Sequence, residues 1–278
     1  MSFSDRRSRR PSRAAALAWV RDVDAHCDRA RALSRDPLQF PRRYAHRHDR
    51  ELVAMIAALL AFGRVETIVA KLDLLLARLG ESPARFVTTA SRRDLVRLLA
   101  DFRHRTFRGE DIARLLHAAG TLITRDGGLY VSLEREWTTH LSLRAALAQW
   151  THMLRSLAWP TIVPRSARHL LPDPTGPSAC KRLVLLCRWI ARPNDGVDLG
   201  LCALPTHALL VPLDVHVHRR ARALGFTRRA SASWAAAEEV TDALRGIDAH
   251  DPVRYDFALC HGEIAAVRGT ATPPRAER

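Results

Sequence analysis

Apolar residues in this chain recur at helical spacing through most of its length, and that rhythm limits the fold more than any other feature. Leu52, Met55, Ile56, Leu59 and Leu60 share one helical face, with Gly63 as a stop. Ile68, Leu72, Leu75, Leu76 and Leu79 share another, ended by Gly80. The same spacing joins Leu143, Leu147, Trp150, Leu154 and Leu157 as far as Pro160, and then Trp234, Ala237, Val240 and Leu244. Ser91-Arg92-Arg93-Asp94 has approximate capping-box spacing before an apolar run. Asp251-Pro252 combines a capping carboxylate with a proline at the first helical position, and Val253, Phe257, Cys260 and Ile264 carry the helix that follows. Convincing two-residue alternation is missing, and short apolar runs such as Leu209-Leu210-Val211 stand alone. The expected class is therefore all-α.

At 278 residues the chain has material for one large domain or two small ones. Residues 1–12 and 269–278 read as disordered basic tails around one domain at 13–268. The Pro-rich stretch 160–177 is the expected boundary between two helical lobes of that domain. No apolar stretch approaches the roughly 20 residues that span a bilayer, and the basic N-terminus has no apolar core behind it, so a cytoplasmic protein without membrane contact is expected. The five cysteines, Cys27, Cys180, Cys187, Cys202 and Cys260, lack CxxC spacing. That argues for a reducing compartment and against a disulfide framework or an ordinary zinc or iron–sulfur site. A monomer is the default.

Charge gives the first functional hint. The formal net charge is +15, with 44 basic against 29 acidic residues, a balance that suits a polyanion such as nucleic acid or simply an arginine-rich proteome. Only two of those basic residues, Lys71 and Lys181, are lysines. Arginine keeps its proton in proteins, whereas lysine can lose it and become a nucleophile. Lys71 sits beside Leu72 on an amphipathic helix and is expected to snorkel at the surface. Lys181 lies three residues past Ser178, a candidate cap, in the first turn of a helix. Unpaired backbone N–H groups there, together with Arg182, disfavour a protonated amine. Lys181 is thus a candidate nucleophile or a solvent-facing lysine at a helix start. Asp214 in PLDVHVHRRARALGF is a plain N-cap or a carboxylate facing a cleft, at the start of a helix from about Val215 to Leu224 that ends at Gly225.

The run Asp214, His216, Arg219, closed by Gly225-Phe226, resembles the aspartate segment of the helix-hairpin-helix DNA glycosylases. SACKRLVLLCRW occupies the place of that family's catalytic-lysine helix, and DFALCHGEIAAV looks like the helix that closes its fold. This likeness covers about residues 176–265. A closer likeness, over about 36–265, is to a bacterial family of unknown function distantly similar to those glycosylases, carried by DPLQFPRRY, ELVAMIAALLAFGR, SACKRLVLLCRWIARPNDGVDLG, VPLDVHVHRRARALGF and DPVRYDFALCHG in that order. Three departures stand out. Gly176-Pro177-Ser178-Ala179-Cys180 keeps one glycine of the usual hairpin, which weakens the case for DNA-backbone binding there. The lysine-to-aspartate gap is 33 residues, similar to the archaeal 8-oxoguanine glycosylase branch. The cysteine cluster of endonuclease III-type members is missing from 261–278, so no iron–sulfur cofactor is expected.

The resemblance implies a two-lobed fold with an atypical hairpin, DNA as partner, a nucleoid-associated place in the cytoplasm, and base-excision chemistry on a damaged, oxidised base. Lys181 would attack the sugar and Asp214 would take its proton. Arg219 and Arg220 would hold phosphates, and Arg182 would belong to the same basic surface. Trp189 would wall the pocket or stack on a base, or else belong to the core. His216 would orient the aspartate or touch phosphate, or serve packing alone. Asp195 and Asp198 are pocket candidates or merely loop residues. Two rivals remain: a non-catalytic nucleic-acid-binding protein of the same fold, and a metal-dependent helical phosphohydrolase using His48-Asp49, His250-Asp251 or His216/His218. Capping explains the aspartates of the first two pairs equally well.

Overall fold

A computed structural model of the chain describes residues 11–260. The helices run α1 (Arg13–His26), α2 (Arg29–Leu33), α3 (Arg47–Leu60), α4 (Val65–Leu79), α5 (Pro83–Thr89) and α6 (Arg92–Leu98). A small antiparallel hairpin, β1 (Arg103–His104) and β2 (Phe107–Arg108), then leads into α7 (Gly109–Asp126), α8 (Val131–His140), α9 (Leu143–Ala158) and α10 (Arg165–Leu170). The chain continues with α11 (Lys181–Ala191), α12 (Val215–Ala223) and α13 (Trp234–Arg245). The protein is all-α, and the hairpin is the sole sheet among the described residues. None of the described helices is long and apolar enough to cross a membrane.

The periodic segments fold as their spacing dictates, with one instructive difference. On α3 the predicted stripe widens until every residue from Leu52 to Leu60 is buried. The alanines between the larger side chains let neighbours approach from all sides, so α3 is the central helix rather than an amphipathic one. It packs against α4, α5, α7 and α11. Two acids near its start, Asp49 and Glu51, are buried too, and each is satisfied. Asp49 accepts the Ala84 N–H at 2.7 Å, so it caps the neighbouring α5 rather than its own helix. Glu51 accepts from Arg47 at 2.8 Å and from the Leu129 N–H at 3.0 Å. Ser91 caps α6 through the Asp94 N–H, as its spacing predicts.

Residues 160–177 include the short helix α10, and Ala167, Leu170 and Leu171 are buried. The buried side chains form one cluster from Ala16 to Leu259. Arginines hold the loops by gripping backbone carbonyls. Arg42 donates to the Val197 and Asp198 carbonyls, Arg47 to that of Leu201, and Arg50 to that of Leu199. Arg144 grips Pro174, Thr175 and Gly176 ahead of α11. Lys71 is half-buried, its ammonium 5.5 Å from the centre of the Phe102 ring.

Candidate functional site

Lys181 is the first residue of α11. Its N-cap, Cys180, has φ +46° and ψ +41°, in the left-handed region. Ser178 does not cap the helix as the sequence suggests. Its hydroxyl accepts the Cys180 N–H at 3.2 Å, while Pro177 accepts the Trp234 N–H and thereby fastens this turn to α13.

Asp214 is the N-cap of α12, and its two oxygens divide the work that the sequence left as alternatives. Oδ1 accepts the Val217 N–H at 2.8 Å. Oδ2 lies 3.7 Å from Lys181 Nζ. Two helix starts, 33 residues apart in sequence, thus bring an amine and a carboxylate together, each side chain 32 % exposed. The pair is open to a reactant and close enough to pass a proton after a small adjustment.

A buried ionic network lies behind the pair. Asp256, fully buried, pairs with Arg188 at 2.9 Å. Arg188 reaches Asp198 at 3.3 Å, and Asp198 is also gripped by Arg192. Arg192 binds Asp251 at 2.9 Å and Asp195 at 3.0 Å. Burial pushes the Asp256 carboxyl up to about 6, against the pull of Arg188 and Lys181, while the Asp214 charge adds to the rise. This couples the network to the open pair above it. Sequence reading missed Arg188 and Asp256. The available signal was a charge inside each of two apolar runs, VLLCRWI and YDFAL, where a lone ionised group requires a partner.

The other candidates divide. His216 and Arg219 are exposed on α12, two and five residues past Asp214. His218 points the other way and bonds the Arg229 carbonyl. Arg220 is half-buried, donates to the Leu259 carbonyl and lies 6.0 Å from the Trp19 ring centre. Three expectations require correction. Trp189 is fully buried and cannot wall a pocket or stack on a base, because α11 is covered on nearly every face. Asp198 is fully buried between two guanidinium groups rather than lining a pocket. Arg182 is buried, gripping the carbonyls of Leu59, His169 and Leu170, so it ties α3 to α10 instead of meeting phosphate. Asp195 accepts the Val197 and Asp198 N–H groups and shapes its own loop. Asp251 stands at the N-cap of a 3-10 turn (Pro252–Tyr255) with the proline at its start as expected, but its carboxylate goes to Arg192 instead of capping. The chain begins a helix at 256–260, and Ile264 lies outside the described residues.

The Asp256 carboxyl yields a pH prediction. Its folded value, about 6, exceeds the ordinary 3.8, so the folded state holds the proton more tightly than the unfolded state. Its stabilising contribution is complete below about pH 4 and is lost as pH rises through about 6. Wild type should therefore lose on the order of 2–3 kcal/mol relative to Asp256→Asn between pH 4 and pH 7. Urea unfolding at both pH values measures this, and parallel pH profiles would show that the carboxyl titrates normally.

Taken together, fold and site define a helical protein with a lysine–aspartate pair at two helix starts, backed by a buried arginine–aspartate network. The chain belongs to the family described as Protein of unknown function (DUF2400), whose family model matches residues 36–265. No curated protein and no solved structure matches it. Among the described residues, no three His, Cys, Asp or Glu side chains converge as a metal site.

Proposed function

We propose that the protein is a DNA base-excision glycosylase with abasic-site lyase activity, acting on an oxidised base. The observation that supports this most directly is the 3.7 Å approach of Lys181 Nζ to Asp214 Oδ2 at a partly open position. Asp214 takes the ammonium proton, and the freed amine attacks the sugar C1′ of a nucleotide turned out of the stack. The base departs with the electron pair of its glycosidic bond and takes the proton held by Asp214, which returns the carboxylate to its charged form. The bound nitrogen gives its extra proton to Asp214, the ring oxygen leaves C1′ and is protonated as a carbon–nitrogen double bond forms to Lys181, and loss of a C2′ proton then expels the 3′ phosphate and nicks the strand. Asp214 also stabilises the positive sugar as it develops. The reading requires no cofactor, and the +15 net charge suits DNA as partner and a nucleoid-associated place in the cytoplasm.

The test is borohydride trapping with duplexes carrying 8-oxoguanine, other oxidised bases or an abasic site. A covalent protein–DNA adduct is expected with at least one of them. If no substrate, abasic DNA included, yields an adduct, the lyase reading ends; salt-sensitive binding without an adduct would instead identify a non-catalytic DNA-binding protein.

A further inference from the structure

A second feature lies beside the first turn of α11 and plays no part in the chemistry above. The 103–108 hairpin turns His104 and Phe107 inward, and His104 Nε2 bonds the Leu60 carbonyl at the end of α3. Arg103 and Arg108, paired across the hairpin, face out. The Phe107 ring meets His169 of α10 at 5.3 Å, and the Phe62 ring meets His169 at 4.9 Å. Arg182 lies 5.3 Å from the Phe107 ring centre and donates to the His169 carbonyl, which sets this cluster directly against the start of α11.

The surface is strongly cationic. Arg64, Arg103, Arg105, Arg108, Arg165 and Arg168 are all exposed, and none has an acidic partner within 4 Å among the described residues. What sets the six apart is that they stand on three adjoining segments; exposed arginines elsewhere are of both kinds, paired as in Arg43–Asp73 and Arg229–Glu239, or without an acid within 4 Å among the described residues as at Arg21, Arg35 and Arg85. Burial, with Arg182 and Arg105 adding to it, holds the His169 ring toward its neutral form.

One of these arginines is held in place at a cost. Arg105, at the hairpin tip, has φ +53°, where glycine or asparagine is the ordinary choice for a two-residue turn. Its guanidinium lies 4.6 Å from the Phe62 ring centre. A side chain at Gly63 would crowd it, since a Cβ there would stand 3.1 Å from Arg105 Cδ. The backbone position at the turn, the aromatic support and the side-chain-free neighbour together present one cation to solvent.

We propose that the face formed by the 103–108 hairpin, residues 62–64 and α10 binds the phosphate backbone of DNA, seating the duplex beside the nucleotide that reaches Lys181. The inference takes its partner from the function proposed above and names the surface that holds it. Phosphates fit because they are repeated anions, and six guanidinium groups without an acidic partner among the described residues stand on three adjoining segments, two of them also bonded to backbone carbonyls at Phe102 and Val163.

The test compares two full-length triple variants that remove equal charge. One is Arg105→Gln, Arg108→Gln and Arg165→Gln. The other is Arg21→Gln, Arg31→Gln and Arg35→Gln, on exposed positions of α1 and the α2 region. Melting curves confirm that both fold. Binding of a labelled duplex bearing a tetrahydrofuran abasic analogue is followed by anisotropy from 50 to 200 mM salt. The first triple should lose about tenfold or more in affinity, and its log–log salt slope should flatten by about 2–3, roughly 0.9 for each phosphate no longer neutralised. The second should lose less than about threefold. Equal losses in the two triples, or no duplex binding by wild type, overturn the proposal. The two readings fail separately. A wild type that binds through this face but never traps an adduct sinks only the chemistry. A first triple that binds like wild type while wild type traps sinks only the surface.

Discussion

Lys181→Gln is expected to abolish the borohydride-trapped adduct completely, and Asp214→Asn to lower turnover by about 10²- to 10⁴-fold, while both leave duplex affinity within about threefold of wild type. Lys181 occupies the first position of α11 and is one-third exposed, so glutamine fits there without disturbing the helix. It removes the only nitrogen at the pair able to form the carbon–nitrogen double bond. The aspartate substitution separates two functions that one side chain performs. An asparagine oxygen can still accept the Val217 N–H, which keeps the cap. The lost negative charge can no longer take the proton or oppose the positive sugar. Asp214→Ala should show both deficits: the same kinetic loss plus about 1 kcal/mol of stability from the missing cap. Single-turnover rates on trapped substrate, set beside melting curves, distinguish these effects. An Asp214→Asn protein that turns over at the wild-type rate would assign the carboxylate to capping alone.

Asp198→Ala should be the most destabilising single change in the network, by about 3–5 kcal/mol. Asp198 is fully buried and shared by two guanidinium groups. Without it Arg188, which is 3 % exposed, keeps Asp256 as its one carboxylate partner among the described residues, and Arg192 keeps Asp251 and Asp195. The destabilisation comes mainly from the buried positive charge left short of a partner, not from the net strength of the ion pair. A melting temperature lower by about 10 °C is expected for a chain of this size. Asp198→Asn should fall between the two, because its amide oxygen still accepts a hydrogen bond. A loss under about 1 kcal/mol in urea would show that water reaches the network and screens it.

Much of this molecule was legible before its structure was. Helix positions follow from the spacing of residues such as Leu52, Met55 and Ile56, because burial rewards one face at 3.6-residue intervals wherever the chain folds locally. Lys181 and Asp214 could be singled out because each is chemically unusual where it stands: a rare lysine at a helix start and an acid before a helix. What failed was assigning exposed roles to polar residues from type alone. Arg182 and Asp198 are both tied up internally, since a guanidinium that grips carbonyls and one that meets phosphate look identical in a sequence. The same ambiguity hid the hairpin surface, whose arginines become a group only when α3, β2 and α10 converge. Net charge alone therefore says little about any one face, as part of it is spent holding loops.

The scarcity of primary amines has a spectroscopic consequence. Mild reductive methylation with ¹³C-formaldehyde would mark just two ε-nitrogens in the whole chain. One rests against an aromatic face, at Phe102, where ring current moves its methyl signals upfield. The other faces the Asp214 carboxylate. Apart from any α-amine signal, the two lysine resonances would then report, without any engineered label, when a molecule enters the corner between Lys181 and Asp214 and when it leaves.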